Sequence, residues 1–224
     1  MNRNLLATLV LGLAFSTRAG AADMQRLLQE TQRMSNEPHL MMIVWWVPTA
    51  FWRESMENDT NLAPEGKAKM LAVLDQYTVF FVARESIGLG GSIDATSRED
   101  LLSNSSLEID GQVVAPLAPA DIKPGGQAIL AVIKPTLSNM LGAFGQGLQM
   151  ILYPSAHGDQ RLLDPLKSGS FSFKLYDKNF KWRLPLGSLL PPMIDPRTSE
   201  EFPGDYNFNP YSGDKLRVKV NDPG

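Results

Sequence analysis

The sequence predicts an α+β protein: a helical N-terminal portion with two buried strands, then an antiparallel β-sandwich-like portion and a small tail. Two uninterrupted apolar runs, 39–47 and 77–83, are typical of buried strands. From about residue 107 onward, short strand-like segments alternate with turn residues, which favours a sandwich. Apolar residues recur at helical spacing in three earlier segments. These segments are 23–35, 49–56 and 65–75.

Capping and turn residues bound the predicted N-terminal elements. Asp23 is a candidate N-cap for the first helix, and Asn36-Glu37-Pro38 is expected to end it. Pro48 marks the turn from the first strand into the second helix. Pro64 suits the first position of the third helix, since proline lacks the N–H that this position leaves unbonded.

The rest of the chain reads as short elements separated by turns. A helical turn is predicted at 97–102, and Asp110-Gly111 between two apolar triplets is a strong hairpin signal. The apolar run 128–133 belongs to the β-rich part and ends at Lys134-Pro135, whereas 137–144 suits either a short helix or a loop. Three further strands are predicted. They are 148–153, 170–176 and 180–184.

Composition excludes several classes of function. The chain has 224 residues, of which 43% are hydrophobic and 20% charged, as in ordinary globular proteins. Its net charge of −3 offers no basic field for nucleic acid, so no nucleic-acid partner is expected. With no cysteine, disulfides, thiol catalysis and cysteine-bound metals are excluded. Because only His39 and His157 are present, we expect no metal site and no cofactor.

The N-terminus has the pattern of a signal peptide. Arg3 supplies the positive n-region, 5–15 is a short apolar segment, and Ala19-Gly20-Ala21 provides small residues before the cleavage point. We predict cleavage after Ala21, with Ala22 as the alternative. An uncleaved anchor stays open, because Arg18 lies close to this site. The protein is therefore expected to be exported, into the periplasm if the host is Gram-negative and otherwise out of the cell.

This pattern divides the chain into three regions. We expect a signal peptide at 1–21, a globular body at 22–190, and a Pro-rich linker with a small tail at 191–224. The apolar run 40–47 has eight residues and is too short to cross a bilayer. We accordingly expect no transmembrane segment in the mature chain.

Two short turn motifs recur in the tail. Asp195-Pro196-Arg197-Thr198-Ser199 and Asn209-Pro210-Tyr211-Ser212-Gly213 flank an aromatic stretch. This arrangement resembles a small zinc ribbon, in which Cys-Pro-x-Cys-Gly turns flank an aromatic hairpin. The ligand positions hold no cysteine. They are occupied by Asp195, Thr198, Asn209 and Ser212.

The loss of all four cysteines departs from the ribbon pattern, and neutral hydroxyl and amide oxygens are poor zinc ligands. We therefore expect a pair of turns without a metal. Turn chemistry and aromatic packing would hold such a tail. The aromatic residues are Phe202, Tyr206, Phe208 and Tyr211. The resemblance spans about a tenth of the chain and implies nothing about the body. A Pro-Gly-rich hairpin of coincidental spacing is the alternative.

Aromatic residues concentrate in one part of the body. Trp45, Trp46 and Trp52 are three of the four tryptophans, and Phe51 lies between them in the chain. Neighbouring residues on a strand point to opposite faces, so one of Trp45 and Trp46 has to be covered by another element or face solvent. Core packing beneath the helices is the favoured interpretation. An exposed or partly exposed patch that binds a ligand or partner is the functional alternative.

Catalytic signals are sparse. The chain has no Gly-x-Ser-x-Gly elbow, no P-loop and no His-Glu-x-x-His pair. His157 with Asp159 and Asp164 is the only local set from which a hydrolase site could grow. The function expected is therefore a non-catalytic envelope protein that binds another component. An envelope hydrolase with a site around His157 is the alternative.

Overall fold

The computed structural model describes residues 18–57, 62–88, 90, 92–140 and 145–219. Within them the helices are α1 Arg18–Thr31, α2 Thr49–Glu57, α3 Pro64–Leu74, α4 Arg98–Ser103 and α5 Pro124–Met140, with 3-10 turns at Pro119–Asp121 and Gly187–Leu189. The strands of the body are β1 Gln32–Glu37, β2 Leu40–Val47, β3 Tyr77–Ile87, β4 Ile93–Ala95, β5 Ser105–Ile109, β6 Gln112–Val114, β7 Gln149–Pro154, β8 Ala156–His157, β9 Gln160–Arg161, β10 Gly169–Leu175 and β11 Lys178–Leu184. Those of the tail are β12 Met193–Ile194, β13 Glu201–Phe202 and β14 Arg217–Val218.

The larger sheet is built around the long strand β3. β1 pairs with β2 and β2 with β3, while β7 and β4 share the other edge of β3, all antiparallel. In this register Trp45 lies opposite Phe81, and Trp46 lies opposite Phe80. Because side chains alternate along a strand, the two tryptophans face opposite sides of the sheet.

A second sheet, in the order β11–β10–β5–β6, covers one of those sides. Ring contacts mark the interface: Trp46 meets Phe171 at 5.0 Å between centroids, and Phe80 meets Phe173 at 5.1 Å. Trp182 stacks on Phe171 at 4.9 Å within the second sheet. Such aromatic pairs add to the free energy gained by burying their apolar area.

Helices cover the opposite side of the larger sheet. Trp45 contacts Phe51 of α2 at 5.1 Å and Phe81 at 5.6 Å between ring centroids. Its Nε1 donates to Thr31 Oγ1 at 3.2 Å, and Trp182 Nε1 donates to Thr31 O at 3.0 Å. The end of α1 is thereby tied to both sheets. The architecture is mixed α+β with antiparallel sheets, as predicted.

Two element predictions are wrong. The segment 32–35 is not helical, because α1 ends at Thr31 and the chain pairs with β2 as edge strand β1. The apolar run 128–133 lies inside the 17-residue helix α5, which continues through Pro135. A six-residue apolar run fits a strand and a buried helix equally well, so its periodicity alone cannot separate them.

The hairpin prediction at Asp110-Gly111 is confirmed. Both residues have positive φ, 50° and 76°, and connect β5 to β6. Such values suit a tight turn whose twist matches that of its strands. Among the described residues, no helix is long and apolar enough to cross a membrane.

The tail is fastened to the body at the 3-10 turn that begins with Gly187. Glu30 of α1 accepts a hydrogen bond from Gly187 N at 2.9 Å, and Gly204 N donates to Gly187 O at 3.1 Å. Arg183 of β11 pairs with Asp205 at 2.9 Å. The tail therefore has a defined position against β11 and this 3-10 turn.

Candidate functional site

The tryptophan cluster is part of the core. Trp45, Trp46 and Trp52 are 8%, 2% and 4% exposed, and Phe51 is also buried. The interpretation as core packing is therefore confirmed, and the exposed patch of the binding interpretation is wrong. The larger sheet lies between helices and a second sheet, so each face of β2 is covered and both adjacent tryptophans find packing partners.

His157 and its neighbouring carboxylates are spread along an exposed turn and the segment after it. His157 and Asp159 are exposed in the small β8–β9 hairpin, whose turn includes Gly158 with φ 60°. Asp164 lies apart from this turn, and its Oδ1 accepts a hydrogen bond from Leu166 N at 2.9 Å. An imidazole in solvent has no enclosed partner to activate, so this geometry gives the hydrolase alternative no support.

A cleft of about 590 Å³ opens where β2 ends and α2 begins; we call it the end cleft. Asp75 lies on its wall and accepts hydrogen bonds from Thr49 Oγ1 at 2.9 Å and from Arg161 at 2.6 Å. Partial burial acts to raise the pKa of Asp75, but the hydrogen bonds from Arg161 and Thr49 outweigh it and lower the pKa.

Asp75 and Arg161 of this wall are thus paired with each other. Arg161 belongs to β9 and Asp75 follows α3, so the pair fastens the β8–β9 hairpin to the helical layer. Asp164 also lines the cleft, with one oxygen held by its own chain. The perturbed carboxyl of the end cleft therefore has a structural partner, and its pKa does not indicate catalysis.

The first tail turn is organised by Asp195. This side chain is fully buried, and its Oδ1 accepts from the backbone N–H groups of Arg197 at 2.8 Å and Thr198 at 3.1 Å. The second turn repeats the arrangement, since Asn209 Oδ1 accepts from Tyr211 N at 2.9 Å and Ser212 N at 3.3 Å. A side chain that accepts from the amides two and three positions ahead stabilises a turn without a metal.

The two turns are joined directly. Asn209 Nδ2 donates to Asp195 Oδ2 at 2.6 Å, and both side chains are buried. The hydrogen bonds from Asn209 and from the amide of Arg197 lower the pKa of Asp195, which favours its ionised form. A charge-assisted hydrogen bond thus connects two of the four ligand-like positions.

Thr198 and Ser212, the other two positions, are exposed and do not join this contact. Thr198 Oγ1 accepts from Glu200 N at 3.3 Å, and Ser212 Oγ donates to Asp214 at 2.9 Å. Within the described part of the chain, no group of three or more His, Asp or Glu side chains could hold a metal ion. Hydrogen bonds from side chains to nearby amides hold both tail turns.

Aromatic side chains project from the tail. Phe202 is buried, and the rings of Tyr206 and Tyr211 each lie 6.4 Å from it. Tyr206, Phe208 and Tyr211 are 39%, 58% and 85% exposed; we call these three the tail aromatics. Aromatic side chains this exposed on a fastened segment are typical of contact surfaces.

Sequence reasoning located the tail positions through their spacing but missed two interactions. No sequence pattern predicts the contact between Asp195 and Asn209, because neither residue type indicates which residue it will contact. The Asp75–Arg161 pair joins residues far apart in the chain, and no local pattern marks it. Only the spacing of the two Pro-containing turns was a usable signal.

No family model, curated protein sequence or solved structure matches this chain.

Proposed function

We propose that this chain is an exported, non-catalytic protein that binds another protein of the cell envelope through the tail aromatics. The observation that carries this proposal is the exposure of Tyr206, Phe208 and Tyr211 on a tail that is fastened both internally and to the body. Export rests on the signal-peptide pattern of the first 21 residues.

The rigidity of the tail favours binding of a partner by the tail aromatics. The Asp195–Asn209 hydrogen bond and four backbone N–H contacts define both turns before any partner arrives. A contact surface that is already ordered loses less conformational entropy on association. Tyrosine supplies a large contact area together with a hydroxyl that finds a hydrogen bond at the edge of an interface.

The partner that fits is a protein with an apolar pocket and a polar rim. The tail that carries these aromatics also carries charges of both signs, among them Arg197, Asp214 and Lys219. This mixture disfavours a purely electrostatic ligand, because such binding needs a field of one sign. Burial of aromatic rings should therefore dominate the affinity, with the neighbouring ion pairs at the rim.

Crosslinking in cells tests this function. A photoreactive amino acid at position 211 should capture a discrete envelope protein, and the double substitution Phe208→Ser with Tyr211→Ser should abolish capture from a reporter at position 206. Loss of an aromatic anchor typically weakens an interface by about 2 kcal/mol or more, roughly thirtyfold.

Val113→Ser is the matched control, because Val113 is 71% exposed on β6, outside the tail. It should leave capture unchanged in equally folded protein. Capture that survives the double substitution, or that Val113→Ser reduces equally, would contradict a role for the tail aromatics.

A further inference from the structure

Glu85 is a buried carboxyl that takes part in none of the hydrogen bonds and ion pairs described above. It lies on β3 opposite Met41 of β2 and Ala95 of β4, and its side chain is completely buried. In the described structure no side chain donates to either carboxylate oxygen, and the backbone amide of Gly147 approaches without completing a hydrogen bond. Leaving an ionised carboxylate in such a place costs far more than leaving a neutral one.

The carboxyl occupies a seam between three pieces of chain. A Cβ atom at Gly147 would collide with Glu85 Oε1 and would also come too near the methyl group of Ala95, at 2.8 Å. Glycine at 147 is therefore what allows the segment 145–148 to close over the carboxyl. We call the contact of Glu85, β4 and the segment 145–148 the carboxyl seam.

Charged side chains of the elements around the seam are engaged elsewhere or face away. Arg84 points to the other face of β3, where it lies over the ring of Tyr176 at 4.5 Å. Asp94 pairs opposite Ser86 and so also faces away from Glu85. Neither β2 nor the segment 145–148 contains a charged residue.

The nearby helices supply no counter-charge either. Lys134 of α5 donates to Gln149 Oε1 at 2.8 Å, and Arg98 of α4 donates to Met150 O at 2.5 Å. Glu99 and Asp100 are exposed in the first turn of α4. Burial raises the pKa of Glu85, and the backbone amide of Gly147 opposes this only in part.

We propose that Glu85 is a protonation-controlled latch of the carboxyl seam. With the proton on the carboxyl, β4 and the segment 145–148 stay closed on β3. When the proton leaves to water, the carboxylate draws solvent into the seam and these two pieces open locally. The device is independent of the tail aromatics.

Ionisation of Glu85 should open the structure only locally, because β4 and the segment 145–148 are short. β4 has three residues and pairs only with β3 in the described structure. Short edge segments open at a lower free energy than the central strands do. The core strand β3 is held on its other edge by eight residue pairs with β2, so it should remain in place.

The sign of the pH effect follows from the raised pKa. The folded protein holds this proton more tightly than the unfolded chain does, so the stabilisation is complete below the unfolded pKa of 4.5 and is lost as the pH rises through the folded pKa. We compare the equilibrium constant for unfolding of the wild type with that of a variant that lacks this carboxyl. Between the unfolded and the folded pKa, the ratio of the two constants should rise up to tenfold per pH unit.

Paired substitutions and hydrogen exchange test the latch. Glu85→Gln keeps the shape and removes the titration, while Glu108→Gln on β5 removes an exposed carboxyl as the control. From pH 4.5 to 8, urea unfolding of wild type and Glu108→Gln should weaken relative to Glu85→Gln. The second measurement needs only the wild type. Its amide hydrogen exchange, corrected for intrinsic rates, should accelerate at 93–95 and 145–148 as the pH rises.

Parallel pH profiles for wild type and Glu85→Gln would overturn the latch. So would seam exchange that does not change with pH while the rest of the protein behaves normally. The exchange measurement needs no substitution, so it decides the question even if Glu85→Gln does not fold.

Discussion

Two buried carboxyls in this molecule respond to the proton in opposite directions because their surroundings differ. Asp195 accepts three hydrogen bonds, led by the one from Asn209, and these lower its pKa. Glu85 has no side-chain partner among the described residues, and burial raises its pKa. Acid should therefore loosen the tail, as the pH falls from the unfolded value of 3.8 through the lower folded pKa of Asp195, while it tightens the carboxyl seam.

The link between the tail turns depends on Asn209. Asn209→Ala removes the donor to Asp195 Oδ2 and the acceptor for two backbone amides, so the tail should lose roughly 1–3 kcal/mol of local stability. Hydrogen exchange across 195–213 measures this loss. Asn207→Ala, at an exposed position of the same hairpin, should change exchange little; equal effects of both substitutions would contradict the assignment.

At the scale of elements, edges and hairpins are held by side-chain and backbone groups from elsewhere in the fold. β7 has an outer edge that no strand covers in the described structure, but Met150 O accepts from Arg98 and Leu152 O from Leu117 N. Occupied carbonyls make this edge a poor template for pairing with another chain. The β8–β9 hairpin is attached through Arg161 and Asp75.

Removing that ion pair should release the hairpin without unfolding the protein. Both partners are about two-fifths exposed, so Arg161→Gln should cost no more than about 1 kcal/mol. The expected signature is faster exchange at 156–161 and a smaller effect of salt on the melting temperature. Lys69→Gln breaks an exposed pair on α3 and should do neither; a larger effect from Lys69→Gln would count against the role of Arg161.

For the whole molecule, the proposed export predicts the mass of the protein that reaches the envelope. Cleavage after Ala21 leaves Ala22 as its first residue, and intact-mass measurement of the exported protein checks this. A mass that retains residues 1–21 would favour the uncleaved anchor instead. A cytoplasmic protein would contradict export altogether.

Local pattern was enough for much of the chain. The sequence by itself determined the two central strands, the helices that follow β2, the Asp110-Gly111 hairpin and the alternation of Phe171, Phe173 and Leu175. These features depend on turn chemistry and on the two-residue or 3.6-residue period of neighbouring side chains. The spacing of the tail turns belongs to the same class of local signal.

Only the tertiary structure decided which elements cover each face of the larger sheet. Periodicity shows that Trp45 and Trp46 point apart, but only the second sheet and α2 bury both of them. The pairing of β7 with β3, the burial of Glu85 and the Asp195–Asn209 hydrogen bond likewise join distant residues. Such contacts depend on how layers close over one another, and a local pattern carries no information about the partner that arrives from elsewhere in the chain.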